Sequence, residues 1–404
     1  MNSASTETRT MVSSTDSALS RRIDDALLHE YESAIAASTR MRHAIAFSYG
    51  RSALWSTLSA LHLKPGREVV LSPLTCEVVP LVLLGLGLRP VYADIDPNTL
   101  NLDAETAKRA LTPATGAILF QHTYGISAGV REVRALARSA GLPLIEDCAQ
   151  CLPVAHGPAP PGQDGGVVIY SNNLRKPLPA GGGGLAVTND GALADEIRCL
   201  RDKLPAESLG SRLRLRAEVW LHRHVLRPPR YWLLYGLSRR YLAGQRHPSI
   251  TIAIAAQIEA VARKPSAFRV RQGLAWVARL ASVAAHGHRC VEDYARSLQS
   301  SPELLIPAAA DESVLYYFPV RVRRKDELLH RARERKIELI AWPLRTPIFP
   351  LEHAADAADL GYETGMCPQA DRMASELVGL PTELEITSDH RQAIVALVRD
   401  AAEP

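Results

Sequence analysis

Leu142-Pro143-Leu144-Ile145-Glu146-Asp147-Cys148-Ala149-Gln150 is a short apolar run that ends in two acids. An apolar run of this length, bounded by Gly141 and Pro143 on one side and polar residues on the other, reads as a buried strand. Similar runs recur on both sides. Val69-Val70-Leu71, Pro90-Val91-Tyr92-Ala93-Asp94, Gly116-Ala117-Ile118-Leu119-Phe120, Val167-Val168-Ile169-Tyr170 and Leu185-Ala186-Val187-Thr188 all read as strands. Between and after them, residues 76–87, 103–110, 128–140 and 191–203 have helical spacing. Regular alternation of this kind predicts an α/β fold, a mainly parallel sheet with helices on both faces. Ligands of such sheets bind beyond the carboxyl ends of the strands. His122, Asp147, Ser171 and Lys176 all fall just after predicted strands, so they share one edge.

Outside this core the pattern changes. Residues 20–62 are helical in spacing, with a helix starting at Gly50-Arg51-Ser52. Residues 250–263 and 266–298 are helical again. The last hundred residues read as a smaller α+β unit, with a strand at Tyr316–Val322, a helix over 325–335, a strand-like Glu338–Trp342, and helices over 370–377 and 387–401. The predicted organisation is a disordered tail over 1–20, a large domain over 21–265, and a connecting helix with a small C-terminal domain over 266–404.

Composition narrows the functional classes. The chain has 404 residues, suited to one large domain and a smaller one. Its net charge of +4 is too small to argue for nucleic acid. Six cysteines at 76, 148, 151, 199, 290 and 367 do not make a disulfide framework in a chain this long. Cys148 and Cys151 form a single C-x-x-C pair, read as small buried residues, and no second pair supports a metal site. The first twenty residues lack an apolar signal segment, and the apolar stretch 69–88 is broken by Pro73, Glu77 and Pro80. The expected location is the cytoplasm.

Charge is unevenly spread. Residues 201–250 hold eleven Lys/Arg against three acids, a net +8 that leaves −4 for the rest of the chain. Within this segment, 211–247 interleaves Trp220, Leu221, Tyr231, Trp232 and Tyr235 with arginines. Two amphipathic helices broken at Pro228-Pro229 would produce that pattern. They suit either a peripheral hairpin on an anionic membrane or a dimer contact or lid over the site.

Taken in order, several blocks resemble the sugar aminotransferases of the DegT/DnrJ/StrS type, which are fold-type-I enzymes dependent on pyridoxal 5′-phosphate (PLP). These blocks are Gly50-x-Ser52-Ala53-Leu54, Asp94-Ile95-Asp96-Pro97-x-Thr99-Leu100, His122-x-Tyr124-Gly125, Ile145-Glu146-Asp147-x-Ala149-Gln150 and Ser171 to Lys176. A glycine run and Val187-Thr188-Asn189-Asp190 follow the last of them. Cys367-Pro368-x-Ala370 and Gly379-Leu380-Pro381 continue the resemblance, which runs from about 44 to 205 and from about 265 onward.

The resemblance implies a role for each residue. Lys176 would carry PLP as a Schiff base and move a proton, and Asp147 would pair with the pyridine nitrogen. Gln150 would lie near the ring face or its phenolic oxygen. Gly50, Arg51, Ser52 and Ser171 would hold the phosphate at a helix start, Cys76 would lie at the ring, and His122 would touch substrate. It also implies a keto-sugar nucleotide or similar keto-polyol as acceptor, glutamate or glutamine as donor, and a homodimer. Alternatives are a related PLP enzyme such as a dehydratase, against which Lys176 argues, and a non-catalytic sensor or scaffold. Four positions depart from the family pattern: Arg51 stands for Thr, Cys76 for an aromatic residue, Gly182 for Glu, and Lys264 lies where an Asn-x-Arg is expected.

Overall fold

The computed structural model describes residues 24–155, 160–174, 176, 177, 179, 183–225, 262–299 and 316–402. A helix through residues 24–39 (α1) leads into β1 (His43–Phe47), α2 (Gly50–Ala60), β2 (Glu68–Leu71), α3 (Val78–Gly85), β3 (Arg89–Tyr92), α4 (Ala104–Ala110) and β4 (Thr115–Gln121). Then come α5 (Val130–Ser139), β5 (Leu144–Asp147), β6 (Val167–Ser171), β7 (Gly184–Thr188), α6 (Gly191–Lys203) and α7 (Leu209–His224). Beyond 262 lie α8 (Ala267–Val277), α9 (Leu280–Leu298), β8 (Tyr317–Arg321), α10 (Lys325–Glu334), α11 (Ala354–Ala358), α12 (Pro368–Glu376), β9 (Leu377–Pro381) and α13 (Ser388–Ala402).

Seven of these strands form one sheet in the order β1-β7-β6-β5-β4-β2-β3. The run from β6 to β3 is parallel, and β7 is antiparallel to both of its neighbours. The predicted α/β fold with a mainly parallel sheet is therefore what forms. Alternate side chains divide between its faces. Val69, Leu71, Leu119, Ile145 and Ile169 join the core under α2, α3 and α6. Val70, Ile118, Phe120 and Leu144 pack instead with α4 and α5. Val168, Tyr170, Leu185 and Val187 pack with Tyr31 and Ile35 of α1 and Val270 of α8. β8 and β9 form a separate two-stranded antiparallel sheet.

Four elements differ from the sequence reading. His43–Phe47 lies within the helical pattern 20–62 but forms a strand whose last four residues are all buried, so no period-2 alternation marks it. The pattern 266–298 is two helices, interrupted at Ala278 and Arg279 with neither Gly nor Pro to signal the break. Of Glu338–Trp342, only an isolated bridge from Ile340 to Gly379 forms. Leu377–Pro381 is a strand despite its glycine and terminal proline. The tail 1–20, the break at Pro228-Pro229 and most of the pattern 250–263 lie outside the described residues.

One carboxylate links the two sheets' regions. Asp94, just past β3, accepts the amides of Gln369 at 2.9 Å and Ala370 at 3.0 Å. It thus caps α12, whose own N-cap residue, Cys367, makes no side-chain cap bond and whose first residue is Pro368. Tyr92 adds a bond from its hydroxyl to the Leu360 carbonyl at 3.0 Å. Asp94→Ala removes a cap and a contact between the two sheets' regions together. It is expected to cost about 1–2 kcal/mol in urea unfolding; a change within about 0.5 kcal/mol, typical of a plain surface site, would contradict this role.

Candidate active site

The strand directions gather the predicted residues. β5 ends on Asp147, β6 on Ser171, and β4 leads into His122. β1 runs into Tyr49 and Gly50 at the start of α2, and antiparallel β7 begins at this same edge with Gly184. Gly184 pairs with both Phe47 and Ser171. A Cβ on it would lie 2.3 Å from the Tyr49 carbonyl oxygen and 2.4 Å from the Gly50 nitrogen, both backbone atoms that cannot swing away. A Cβ on Gly50 would meet the Ser171 Cβ at 3.0 Å. Two glycines therefore let the start of α2, the end of β6 and the start of β7 close on one another.

This junction suits an anion. Tyr49, the residue before α2, is extended and makes no side-chain cap, and the first turn holds no acid. Arg51 sits there instead, a cation placed against the positive end of the helix dipole, which a bound phosphate would offset. Ser52 is buried in that turn. The Tyr49 ring lies between two guanidinium groups, Arg51 at 5.1 Å and Arg269 at 4.7 Å from its centroid. Arg269 is buried and ion-paired to buried Glu207 at 2.6 Å. Sequence reasoning missed this Tyr49–Arg269–Glu207 group, because 220 residues separate Tyr49 from Arg269 and no motif joins them.

At the other end of the site, Lys176 follows β6 through a turn. Its amide bonds the Asn173 carbonyl at 3.0 Å, while the Asn173 side chain accepts the Leu174 amide at 2.6 Å. The lysine's positive charge lowers the proton affinity of both the Asp147 carboxyl and the Cys76 thiol, so all three lie within electrostatic reach of one another. Asp147 is buried, and its Oδ1 accepts the Ala149 amide at 2.8 Å. Burial pushes its carboxyl above the usual carboxylate range, and the Ala149 amide, Lys176 and His122 only partly pull it back. Burial also raises the Cys76 thiol, with Lys176 opposing. Cys76 bridges by its backbone to Phe349, which brings the 348–350 segment to the site.

The supporting shell corrects one assignment. His122, read as touching substrate, is fully buried, with Nδ1 3.0 Å from Ser127 Oγ and Nε2 2.9 Å from Glu146 Oε2. Both ring nitrogens are thus engaged within the fold, and the residue braces the ends of β4 and β5. Arg134 completes the arrangement with two 2.9 Å bonds to Glu146. Burial alone would raise Glu146, but His122 and Arg134 outweigh it and hold the carboxyl below its usual range. Cys148 and Cys151 are buried as read, yet the fold also brings His122 to them, with potential ligand atoms within 4.8 Å of one another.

Gln150 accepts the Tyr124 amide N–H at its side-chain oxygen, which leaves its NH2 group as the donor it can offer elsewhere. Tyr124 holds a positive φ of 58°, and its hydroxyl donates to the Trp342 carbonyl. Asn172 donates to the Tyr31 hydroxyl at 2.7 Å, tying the strand end before the lysine loop to α1, a contact across 141 residues that the sequence did not announce.

This donor set fits PLP. A buried carboxylate lies within electrostatic reach of a lysine on the next strand's loop, and a serine hydroxyl meets an uncapped helix start through glycine. The comparisons agree. The pattern of the DegT/DnrJ/EryC1/StrS aminotransferase family matches residues 13–208 and 269–399. The chain belongs to that family. It is an aminotransferase that depends on PLP.

The dTDP-3-amino-3,4,6-trideoxy-alpha-D-glucose transaminase of Micromonospora megalomicea subsp. nigra is 28% identical over 92% of this chain and 89% of its own. The Pleiotropic regulatory protein of Geobacillus stearothermophilus is 28% identical over 91% and 87%. The L-glutamine:2-deoxy-scyllo-inosose aminotransferase of Streptomyces kanamyceticus is 37% identical over 41% of this chain and 40% of its own. Among solved structures, DesV of S. venezuelae superposes with a TM-score of 0.72 at 23% identity, covering 99% of this chain and 97% of that one, a likeness of fold.

Two tests follow from the geometry. Gly184→Ala must displace backbone, whereas a Cβ on Gly191 would meet only the His43 ring at an ordinary 3.6 Å. PLP affinity, followed by fluorescence titration, is expected to fall roughly tenfold or more in Gly184→Ala, since displacing an anchor by an ångström costs more than this, and to hold in Gly191→Ala. Equal behaviour would contradict the junction. Glu146 has a depressed pKa, so its contribution to stability is present above the unfolded carboxyl value and is lost as pH falls through the folded one. Glu146→Gln should therefore cost about 3–5 kcal/mol at neutral pH and show a smaller further loss on acidification than the wild type; parallel pH curves would refute this.

Proposed function

We propose that this enzyme transfers an amino group from glutamine or glutamate to the carbonyl of a keto-sugar nucleotide or a related keto-polyol, in glycan or secondary-metabolite biosynthesis. The observation that supports the reading is buried Asp147 at the end of β5, with Lys176 just beyond neighbouring β6 and its charge acting on that carboxyl. The acceptor class rests on what its relatives act on, a dTDP-amino-sugar and a scyllo-inosose by their names. When bound, PLP supplies an electron sink that stabilises negative charge at the substrate carbon bearing the amine.

The chain's own residues do the rest. Lys176 holds the cofactor covalently between turnovers and carries a proton to and from the reacting carbon. Asp147, whose burial leaves its carboxylate charge under-compensated, would pair with a protonated ring nitrogen. Gln150, whose oxygen accepts the Tyr124 amide, would have its NH2 free to donate near the ring face or its phenolic oxygen. Gly50, Arg51, Ser52 and Ser171 anchor the phosphate at the head of α2. Cys76 occupies the ring-side position with less apolar surface than an aromatic residue would offer. The working unit is a homodimer in the cytoplasm, and neither nucleic acid nor a metal ion takes part.

The test is transfer of 15N from amino-labelled glutamine or glutamate to a panel of keto-sugar nucleotides and keto-inositols, read by mass spectrometry. Label is expected in one acceptor class, and Lys176→Ala should slow the transfer by about 10²–10⁴-fold or more. Bound PLP with no label in any acceptor from either donor would overturn the catalytic reading and leave the sensor alternative.

A further inference from the structure

Helix α7 presents two unlike faces. Leu215 and Val219, each 5% exposed, hold it to the molecule. Leu209, Leu213 and Trp220 are 64%, 55% and 60% exposed and are spaced to fall on one stripe, which Leu221 at 41% widens. Among the described residues, these four account for all the strongly exposed large apolar side chains except Met366. Isolated exposed leucines are ordinary, but a run of them on one helix marks a surface that something covers. Exposed Arg212, Arg216 and Arg223 line one flank of the stripe. Arg216 lies over the Phe268 ring at 5.4 Å, and Arg223 donates to Gln272 at 2.5 Å, so both guanidinium groups stand beside α8 at the edge of the stripe. The helix's one acid, Glu218, is paired with Arg214 at 2.8 Å.

We infer that this face of α7 docks on an anionic lipid surface. Two observations choose that occupant. First, the family pattern matches residues 13–208 and 269–399, so α7 lies outside the segments matched to the family. Second, α7 itself carries four arginines, Arg212, Arg214, Arg216 and Arg223, against one acid. A second copy presenting the same face would set arginine against arginine. A bilayer offers apolar depth to the leucines and Trp220 and negative headgroups to the arginines in one plane. Among the described residues, no helix is long and apolar enough to cross a membrane, so the contact lies on the surface. Arg216 lies over the ring of Phe268, and the next residue, Arg269, lies over the Tyr49 ring, which puts this helix near the start of α2.

The experiment is co-sedimentation of the full-length, PLP-loaded protein with vesicles of phosphatidylcholine alone or mixed with phosphatidylglycerol, at low and high salt. The bound fraction is expected to rise roughly tenfold with phosphatidylglycerol and to fall at high salt. Leu213→Glu/Trp220→Glu should abolish binding while retaining cofactor, since both side chains are exposed. Arg212→Gln/Arg216→Gln/Arg223→Gln should remove the preference for phosphatidylglycerol. Wild type that stays in the supernatant with both vesicles overturns the proposal. So does a Leu213→Glu/Trp220→Glu protein that sediments like wild type. A change in that variant's light-scattering mass without any change in vesicle binding would give the stripe to a second copy and overturn it too.

Discussion

Two adjacent buried carboxylates at the end of β5 set the terms for the site. Successive strand residues point to opposite faces, so Glu146 and Asp147 meet different surroundings. Burying an ionised carboxylate costs several kcal/mol unless it is paired and hydrogen-bonded. Glu146 is satisfied within the fold by Arg134 and His122. Asp147 has the Ala149 amide and the more distant charges of Lys176 and His122, and its proton affinity remains raised. The fold thus neutralises one acid and leaves the other under-compensated at the strand edge, where a protonated ring nitrogen would complete it.

The same logic turns sequence blocks into contacts. The Asp94-Ile95-Asp96-Pro97 block and the Cys367-Pro368 block meet because the first supplies the cap that the second lacks. The glycine at 184 marks the point where three chain segments touch through backbone. Tyr124 ties Gln150, beyond β5, to Trp342, far along the chain near β8 and β9. Each is a steric or hydrogen-bond requirement that a different side chain would violate.

The parallel core was legible because its strands are continuous apolar runs ending in polar residues, and that placed Asp147, Ser171 and Lys176 on one edge before any coordinates. β1 was not legible, because a strand buried along its length has no alternation to separate it from the helices around it. Helices α8 and α9 read as one because Ala278 and Arg279 fit a helical pattern. His122 lay in a motif that pointed to the site, but only its bonds to Ser127 and Glu146 show that it braces the strands. Arg269, Glu207 and Tyr31 were hidden for a simpler reason: each acts on a residue far away in the chain, and long-range pairing leaves no periodic signal.

Lys176, whose charge acts on buried Asp147, is the residue we propose to hold the cofactor. Borohydride reduction of the PLP-loaded protein, followed by peptide mass mapping, tests it most directly. The cofactor's mass should appear on the peptide containing Lys176 and disappear in Lys176→Ala. Its appearance on another lysine, or its persistence in that variant, would contradict the account.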